Sequence, residues 1–490
     1  VQYPPSKTVP WNHQIEAWKL IEKNPAFYLA HDMGTGKSKT AIDAITAFQP
    51  KRVLIICPKK VINVWPDQFS IHSAYDIDVY PFNNDKESVE QKAGRMDSLI
   101  RKSNGRPQAF VLNYESCIRQ PMGMVTDKYY KIKDPGILLK YSWDFLIVDE
   151  AHRIKSPGGK TSWQIFRICR QSKKKLFMSG TPMPHDPLDI YAQYRALNPR
   201  IFGTKYVKFK ARYAVMGGYL GKQIFEYQNL EDLNRRFYSI AHEVKADDVL
   251  DLPPKIDREI FFDLKPSTMR IYKSLEKDLI AEVDSGEITA DNVLVKLLRL
   301  AQITTGVLKL DDGTEKFIDT SKIERIIDFL EDIPPSAPIA IYYKFTPEGR
   351  RLKQELEKTG RTVSMVYGQK DQLKDWQEGK TNTIILQIDA GSEGIDLTRS
   401  QYCIYSSTGV KLGVYQQSRK RIHRPGQNQK VFYYHVLARN TVDISNMMAL
   451  RDKKEVVDFV MRGIEKFKKT LVGPKTKKIR SLALSQILEN

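Results

Sequence analysis

Ten short apolar runs, arranged in two series, constrain the fold of this chain more than any other feature. The first series is "AFYLA" (26–30), "RVLIIC" (52–57), "QAFVLNY" (108–114), "DFLIVD" (144–149) and "KLFMSG" (175–180). The second is "PIAIYYKF" (338–345), "TVSMVYG" (362–368), "TNTIILQI" (381–388), "QYCIYSS" (401–407) and "VFYYHVLA" (431–438). Helical stretches lie between the members of each. Strands that are apolar on both faces and alternate with helices need cover on both sides, as in parallel sheets. The two series therefore predict two α/β domains in tandem.

The region between them reads differently. "DLNRRFYSIAHEV" (232–244) and "DNVLVKLLRLAQI" (291–303) have helical spacing, and "DLPPK" (251–255) interrupts the chain between helical stretches. The expected organisation is a first lobe over 1–190, helical insertions and the inter-lobe connection over 191–320, a second lobe over 321–460 and a basic tail over 461–490. Within the last stretch, residues 461–480 hold eight Lys or Arg against one Glu. That pattern suits a basic arm on nucleic acid and equally a solvated end.

Composition narrows the function classes. No apolar run approaches the length needed to span a bilayer, and no secretory signal pattern opens the chain. Cys57, Cys117, Cys169 and Cys403 lie far apart with no C-x-x-C pair, which argues against structural zinc and a disulfide framework and suits a reducing compartment. Lys plus Arg number 78 against 58 Asp plus Glu, a formal charge of +20. Such an excess favours a polyanionic partner, because each neutralised phosphate releases condensed counterions.

"HDMGTGKS" (31–38) nearly spells a phosphate-binding loop, with His31 where G-x-x-x-x-G-K-[ST] has its first glycine. It follows the run "AFYLA" and opens the helix-like "KSKTAIDAITAF" (37–48), so loop amides and a helix N-terminus would face an anion together. Gly34 and Gly36 let the backbone curl around phosphate oxygens, with Met33 and Thr35 completing the loop. Lys37 would reach the β- and γ-phosphates, and Ser38 would offer a hydroxyl to magnesium. "FLIVDEAH" (145–152) ends an apolar strand in adjacent acids. Strand ends in open α/β sheets face the ligand edge, so Asp149 would hold magnesium and Glu150 would deprotonate the attacking water. In the second series "QQSRKRIHRPGQ" (416–427) spaces Gln417, Arg421 and Arg424 by four and three, as on a helical face. Arg421 and Arg424 would act as arginine fingers on the γ-phosphate if the domains close. "KKK" (173–175) precedes a strand and is expected as a solvated loop on the opposite edge.

In this order the motifs resemble a superfamily-two helicase motor, and within it the Swi/Snf-like group of double-stranded-DNA translocases. The resemblance spans about residues 9–460. "PWNHQIEAW" (10–18) resembles the segment whose glutamine, here Gln14, reads the adenine. "LAHDMGTGKSKTAI" (29–42) resembles the first motif, where an acid commonly occupies the position of His31. "LIICPKKVINVWPDQF" (54–69), "DEAHRIKS" (149–156) and "MSGTP" (178–182) resemble the motifs that follow, the last of which couples ATP state to the nucleic-acid track. "NPRIFG" (198–203), "LPPK" (252–255) and "LLRLAQI" (297–303) resemble landmarks of the Swi/Snf insertions. "DAGSEGIDLT" (389–398) resembles motif five, with Gly394 and Asp396 lining the cleft. "RIHRPGQ" (421–427) carries the group's arginine motif, with Pro425 where an aliphatic residue is more usual.

The resemblance implies two RecA-like parallel-sheet domains with helical insertions, sharing one ATP and Mg2+, and a nucleic-acid-dependent ATPase moving on duplex or branched DNA. Residues after the other strands would position the backbone of that track: Lys59, Lys60, Asn113, Tyr114, Lys155 and Ser156 in the first lobe, and Tyr343, Lys344, Gln369 and Lys370 in the second. A monomer without a membrane partner is expected, cytoplasmic in a prokaryote or a virus-infected cell and nuclear in a eukaryote. The absence of histone-reading modules favours a compact prokaryotic or viral motor. Alternatives are a strand-separating helicase, the motor subunit of a defence or restriction complex, and a non-catalytic nucleic-acid-binding scaffold.

Overall fold

The computed structural model describes residues 3–84, 86–126, 132–217, 223–285, 290–309, 314–368, 370–390 and 395–454. The described chain divides between Leu250 and Asp251 into two compact units, each with its own seven-stranded sheet.

The strands of the first sheet are β1 (Ala26–His31), β2 (Arg52–Cys57), β3 (Asp78–Pro81), β4 (Gln108–Asn113), β5 (Trp143–Asp149), β6 (Ser172–Met178) and β7 (Ala241–Val244). Their order is β7-β1-β6-β5-β2-β4-β3, and every neighbouring pair is parallel. The central strands explain why this segment of sequence has no alternation. Val53 to Cys57 on β2 and Phe145 to Val148 on β5 have no solvent exposure on either face. Full burial of each such side chain stabilises the fold by about 1.5–3 kcal/mol.

Two helices prepare the nucleotide loop. α1 (Asn12–Lys23) buries Ala17, Trp18 and Ile21 on one face. α2 (Lys37–Phe48) begins one residue after a left-handed Gly36 and buries Ala41, Ile42, Ala44 and Ile45. A buried Lys39–Asp43 ion pair of 2.5 Å closes one turn of α2.

The second sheet comprises β8 (Lys255–Phe262), β9 (Ile339–Tyr343), β10 (Val363–Tyr367), β11 (Lys370–Asp371), β12 (Thr383–Gln387), β13 (Tyr402–Tyr405) and β14 (Val431–Ala438). Its order is β8-β14-β13-β9-β12-β10-β11, parallel except for the β10–β11 pair. Helices Pro266–Ser285 and Ala290–Thr304 pack Tyr272, Leu279, Leu300 and Ile303 into the same core as Ile339 and Ile341.

Three expectations change here. The region 191–320 is shared between the units: α3 (Leu230–Phe237) and β7 build onto the first, and β8 with the two long helices builds onto the second. "DLNRRFYSIAHEV" is α-helical through Phe237 and 3-10 helical over Tyr238–Ile240, and its last residues form β7 because the open edge of β1 supplies parallel partners, Tyr28 to Ala241 through His31 to Val244. Lys173–Lys175 lie not in a loop but in the first turns of register of β6, where Lys173 pairs with Asp144 at 2.8 Å and the Lys174 ammonium sits 3.4 Å from the Phe48 ring centroid. They do lie at the amino end of the strand, away from the edge that carries the loops. The tail, 461–490, lies outside the described residues. No described helix is long and apolar enough to cross a membrane.

Ile147 sits at the centre of β5, two residues before the acid pair. Ile147→Ala is expected to lower the stability of the first unit by about 2–5 kcal/mol. Urea unfolding followed by circular dichroism reads this as a lower midpoint, and an unchanged midpoint would contradict the placement of β5 in the core.

Candidate active site

Parallel strands deliver the residues that follow them to one edge of the sheet, and in open α/β folds that edge holds the ligand. Here it receives the phosphate loop after β1, the acid pair at the end of β5 and "SGTP" after β6.

Gly34 and Gly36 adopt φ values of 81° and 77°, a region that L side chains rarely enter. Gly36 is also crowded: a Cβ there would stand 2.2 Å from Gln14 Nε2. Gln14 is buried on α1, donates Nε2 to the Gly36 carbonyl at 3.2 Å and accepts the Trp11 amide at 2.8 Å. Thr35 Oγ1 donates to the Asp32 carbonyl at 2.7 Å and fixes the loop from within. Met33 is partly exposed and Gly34 exposed. Lys37 and Ser38 form the first turn of α2, whose leading amides lack intrahelical acceptors. Lys37 Nζ donates to the carbonyls of His31 at 2.9 Å and Asp32 at 3.0 Å.

His31 needs no glycine-like backbone. It is the last residue of β1, paired in register with Val244, and is absent from the positive-φ positions. Its imidazole has no solvent exposure, and burial holds its pKa well below the ordinary histidine value.

The acid pair is strained and charged. Glu150 adopts φ 54° and ψ 51°, which costs a non-glycine residue about 1–2 kcal/mol. The Glu150 amide donates to Asp149 Oδ1 at 3.0 Å, and Tyr114 Oη donates to the Asp149 carbonyl at 2.5 Å. Burial and then the neighbouring Glu150 charge raise the Asp149 pKa, against the opposing pull of Lys37. Ser179 joins the acids to the next loop. Its Oγ accepts the Thr181 amide at 3.1 Å, lies 2.8 Å from His152 Nδ1 and donates to Glu150 Oε2 at 3.3 Å. Gly180 packs on the phosphate loop so closely that a Cβ would stand 3.3 Å from the His31 carbonyl and 3.4 Å from the Met33 nitrogen. The acids and the Ser179 turn are thus bonded, and that turn packs against the phosphate loop.

The donor set fits magnesium. Ser38 and Asp149 offer hard oxygen ligands, and two adjacent carboxylates create the charge that a divalent cation relieves. Among the described residues no group of three or more His, Cys, Asp or Glu gathers for a metal ion.

In the second unit the arginine segment departs from the helical expectation. α4 (Leu412–Arg419) ends before Arg421, so Arg421 and Arg424 lie in turns. At its end the Arg419 guanidinium donates to Asp257 (2.8 Å) and stacks 3.9 Å from the Tyr433 centroid, while Tyr433 Oη donates to the Arg419 carbonyl at 2.7 Å. Pro425 disfavours helix at the residue before it. Gln417 and Arg421 are buried; Arg424 is partly exposed and lies 3.8 Å from Asp396. The Arg421 carbonyl accepts the Leu397 amide at 2.9 Å, so the arginine turn and motif five are joined. Gly394 lies outside the described residues.

The track residues divide. Lys59 and Lys60 are exposed in the turn after β2, Ser156 is exposed and Lys155 partly so. Asn113 and Tyr114 are buried: Asn113 donates to Glu115 at 2.9 Å, and Tyr114 serves as a brace under Asp149 rather than a phosphate contact. Tyr343 likewise has no exposure, its ring packed where a Cβ on Gly349 would come within 2.3 Å, so it belongs to the core. Lys344 pairs with Asp389, which also holds Lys411 at 3.1 Å. Gln369 lies outside the described residues, and Lys370 is described only as the start of β11. Sequence reasoning did not single out Ser179, His152, Gly180 or His242. The first three sit inside quoted motifs; His242 lies on a four-residue strand with no pattern of its own.

Comparison with known proteins identifies the family. The SNF2-related domain matches residues 9–306, and the helicase conserved C-terminal domain matches residues 321–426. Putative protein p41 of Acyrthosiphon pisum secondary endosymbiont phage 1 is 23% identical over 89% of this chain and 94% of its own length. The putative ATP-dependent helicase/translocase YwqA of Bacillus subtilis is 24% identical over 91% of this chain and 48% of its own length. The DNA annealing helicase and endonuclease ZRANB3 of Mus musculus is 23% identical over 89% and 39% respectively. The chain therefore spans nearly all of the phage relative but half or less of the other two. Among solved structures, the Sulfolobus solfataricus SWI2/SNF2 ATPase core in complex with dsDNA aligns over 96% of this chain and 97% of its own, with 21% identity and a TM-score of 0.41. The chain belongs to the SNF2-related family of helicase-like, nucleic-acid-dependent ATPases.

Proposed function

We propose that this chain couples ATP hydrolysis to translocation along duplex or branched DNA, acting on forks, junctions or protein–DNA complexes as a monomer. The observation that carries the reading is the packed assembly of phosphate loop, acid pair and Ser179–Gly180 turn on one sheet edge. DNA as the track is supported by the charge of +20, by the exposed Lys59 and Lys60 on that edge, and by the DNA-acting name of the mouse relative.

The chemistry follows from the contacts. Loop amides and the first turn of α2 receive the phosphates, and Lys37 exchanges the carbonyls of His31 and Asp32 for phosphate oxygens. Gln14, already against Gly36, reports the base to the loop. Ser38 and Asp149 would hold magnesium, which would supply charge neutralisation at the phosphates. Glu150 takes the proton of the attacking water, and its strained backbone fixes where that carboxylate points. Any change of charge at Glu150 is felt by Ser179, and through Gly180 and Thr181 by the loop that follows β6. Within the second unit Arg424 lies beside Asp396, and the Arg421 carbonyl ties the arginine turn to Leu397.

Glu150→Gln is expected to lower kcat for ATP hydrolysis by about 10²–10⁴-fold while nucleotide binding persists, because only the general base is lost. Lys37→Ala is expected to lose both, read by steady-state ATPase assay and by titration with a fluorescent ATP analogue. Equal turnover in wild type and Lys37→Ala would favour a scaffold.

ATPase stimulation across single-stranded, duplex, forked and four-way-junction DNA and single-stranded RNA tests the track. Duplex or branched DNA is expected to stimulate most, with an apparent affinity that falls steeply with salt. Stimulation by RNA with none by duplex or branched DNA rules the reading out.

A further inference from the structure

Three of the chain's eight histidines gather behind the phosphate loop, from three separate elements. His31 ends β1, His13 lies on α1, and His242 lies on β7, which reaches β1 from more than two hundred residues away; the His31–His242 contact spans 211 positions. His31 Nε2 lies 2.9 Å from His242 Nδ1, and the two ring centroids are 5.1 Å apart. The His13 ring stands edge-on to His31 at 6.0 Å, and its Nε2 donates to the Thr35 carbonyl at 2.8 Å. β7 adds two more ties: the Asp32 amide donates to the Val244 carbonyl at 2.8 Å, and Asp32 Oδ2 accepts the Ala246 amide at 3.2 Å. The phosphate loop is therefore held at 31, 32 and 35 from behind.

We propose that His242 is a positioning residue for nucleotide binding, holding His31 through a single shared proton so that the phosphate loop keeps its grip only while the imidazole pair is neutral. The inference rests on the reading of this loop as the nucleotide site.

The proton arithmetic is restrictive. His31 Nδ1 is buried without a hydrogen-bond partner. A neutral pair satisfies this most cheaply with the proton on His31 Nε2, donated to His242 Nδ1, which leaves Nδ1 of His31 bare and directs the Nε2 proton of His242 away from the pair. A further proton on His242 Nδ1 would face that donor. His31 would have to move its own proton to Nδ1, a buried donor with no acceptor, or the contact would break.

Surrounding charges bear on each partner. His31 faces Lys37 and His13, both opposing a positive charge, with Asp32 alone favouring one. His242 faces Glu16 of α1 and Glu243 of its own strand, which favour protonation, and His13, which opposes it; burial dominates and leaves its pKa lowered. Glu243 is itself engaged by Lys245 at 2.5 Å and Tyr238 at 2.6 Å. A lowered histidine pKa means the neutral form persists through pH 7, and the grip is lost as the pH falls through the lowered value, beneath the ordinary histidine value of about 6.5. Since His31 shares its carbonyl with the Lys37 ammonium, disturbance of His31 reaches the phosphate-binding cation directly.

The test compares the ATP dependence of hydrolysis by wild type and His242→Gln at pH 8 and pH 5.5. Glutamine keeps a polar partner for His31 but does not titrate. Wild type is expected to raise KM for ATP at pH 5.5, by up to the roughly tenfold that an unshifted histidine would give one pH unit below its own value, with the change in KM rather than kcat. His242→Gln is expected to flatten this difference to within about twofold of the KM change left by the nucleotide's own titration, which both proteins share. An identical KM ratio in the two proteins overturns the proposal. Imidazole 15N chemical shifts in the wild type provide a second measurement that needs no variant: His31 is expected to change tautomer as His242 titrates, and independent titration of the two rings overturns the proposal. Absence of any ATP binding by wild type at pH 8 refutes instead the nucleotide reading on which the proposal rests.

Discussion

Parallel pairing is the constraint on which the site depends. A parallel neighbour cannot be reached by a tight turn, so the chain must cross back over the sheet each time, and each crossing begins at the same edge. In the first unit this puts the ends of β1, β2, β4, β5 and β6 side by side although their residues lie far apart in sequence. The phosphate loop, the acids and the Ser179 turn then need only short-range bonds to become one unit. The register of β5 with β6, which sets Asp149 beside Met178, places Ser179 one residue on and within reach of Glu150.

The same constraint made most of the fold legible before any coordinates. Runs apolar on both faces have one stable home, and all ten proposed runs contain strands, from Ala26–His31 to Val431–Ala438. The helix starting at Lys37 was legible because glycines with left-handed backbones break the chain just before it and alanine and isoleucine recur on one face after it. Short edge strands were not legible. β7 has four residues, two of them charged or titratable, and owes its strand state to the vacant edge of β1 rather than to its own pattern. β8 carries charged residues along most of its length because it is an edge strand, so it lacks the apolar signature of its neighbours.

Site residues were legible where chemistry fixes both type and spacing. Lys37, Asp149 and Glu150 are of that kind. Tyr114 and Tyr343 were not, because a tyrosine after or within a strand reads the same whether its ring faces a ligand or the core; burial separates the two, and burial is a tertiary property. Arg421 and Arg424 show a related limit. Their spacing from Gln417 fits a helix, but α4 ends at Arg419, whose side chain is held by Asp257 and Tyr433, and Pro425 is the local sign of that end.

The distribution of strain and charge over the first unit has a consistent logic. Glu150 holds a left-handed backbone, Asp149 has its charge disfavoured by burial and by its neighbour, and Lys37 rests on two carbonyls that are modest partners for an ammonium. Each is a group whose best partner is not in the polypeptide: an anion for Lys37, a cation for the carboxylates. Such groups persist only when the surroundings over-determine them. Here that support comes from Gln14 against Gly36, Tyr114 under Asp149, Gly180 against the loop and His242 behind His31. These four contacts draw on α1, the residue after β4, the turn after β6 and a strand from the distant insertion. The insertion is thus structurally part of the nucleotide-binding edge through β7, which explains why the first unit runs on to Leu250 instead of ending after its sixth strand.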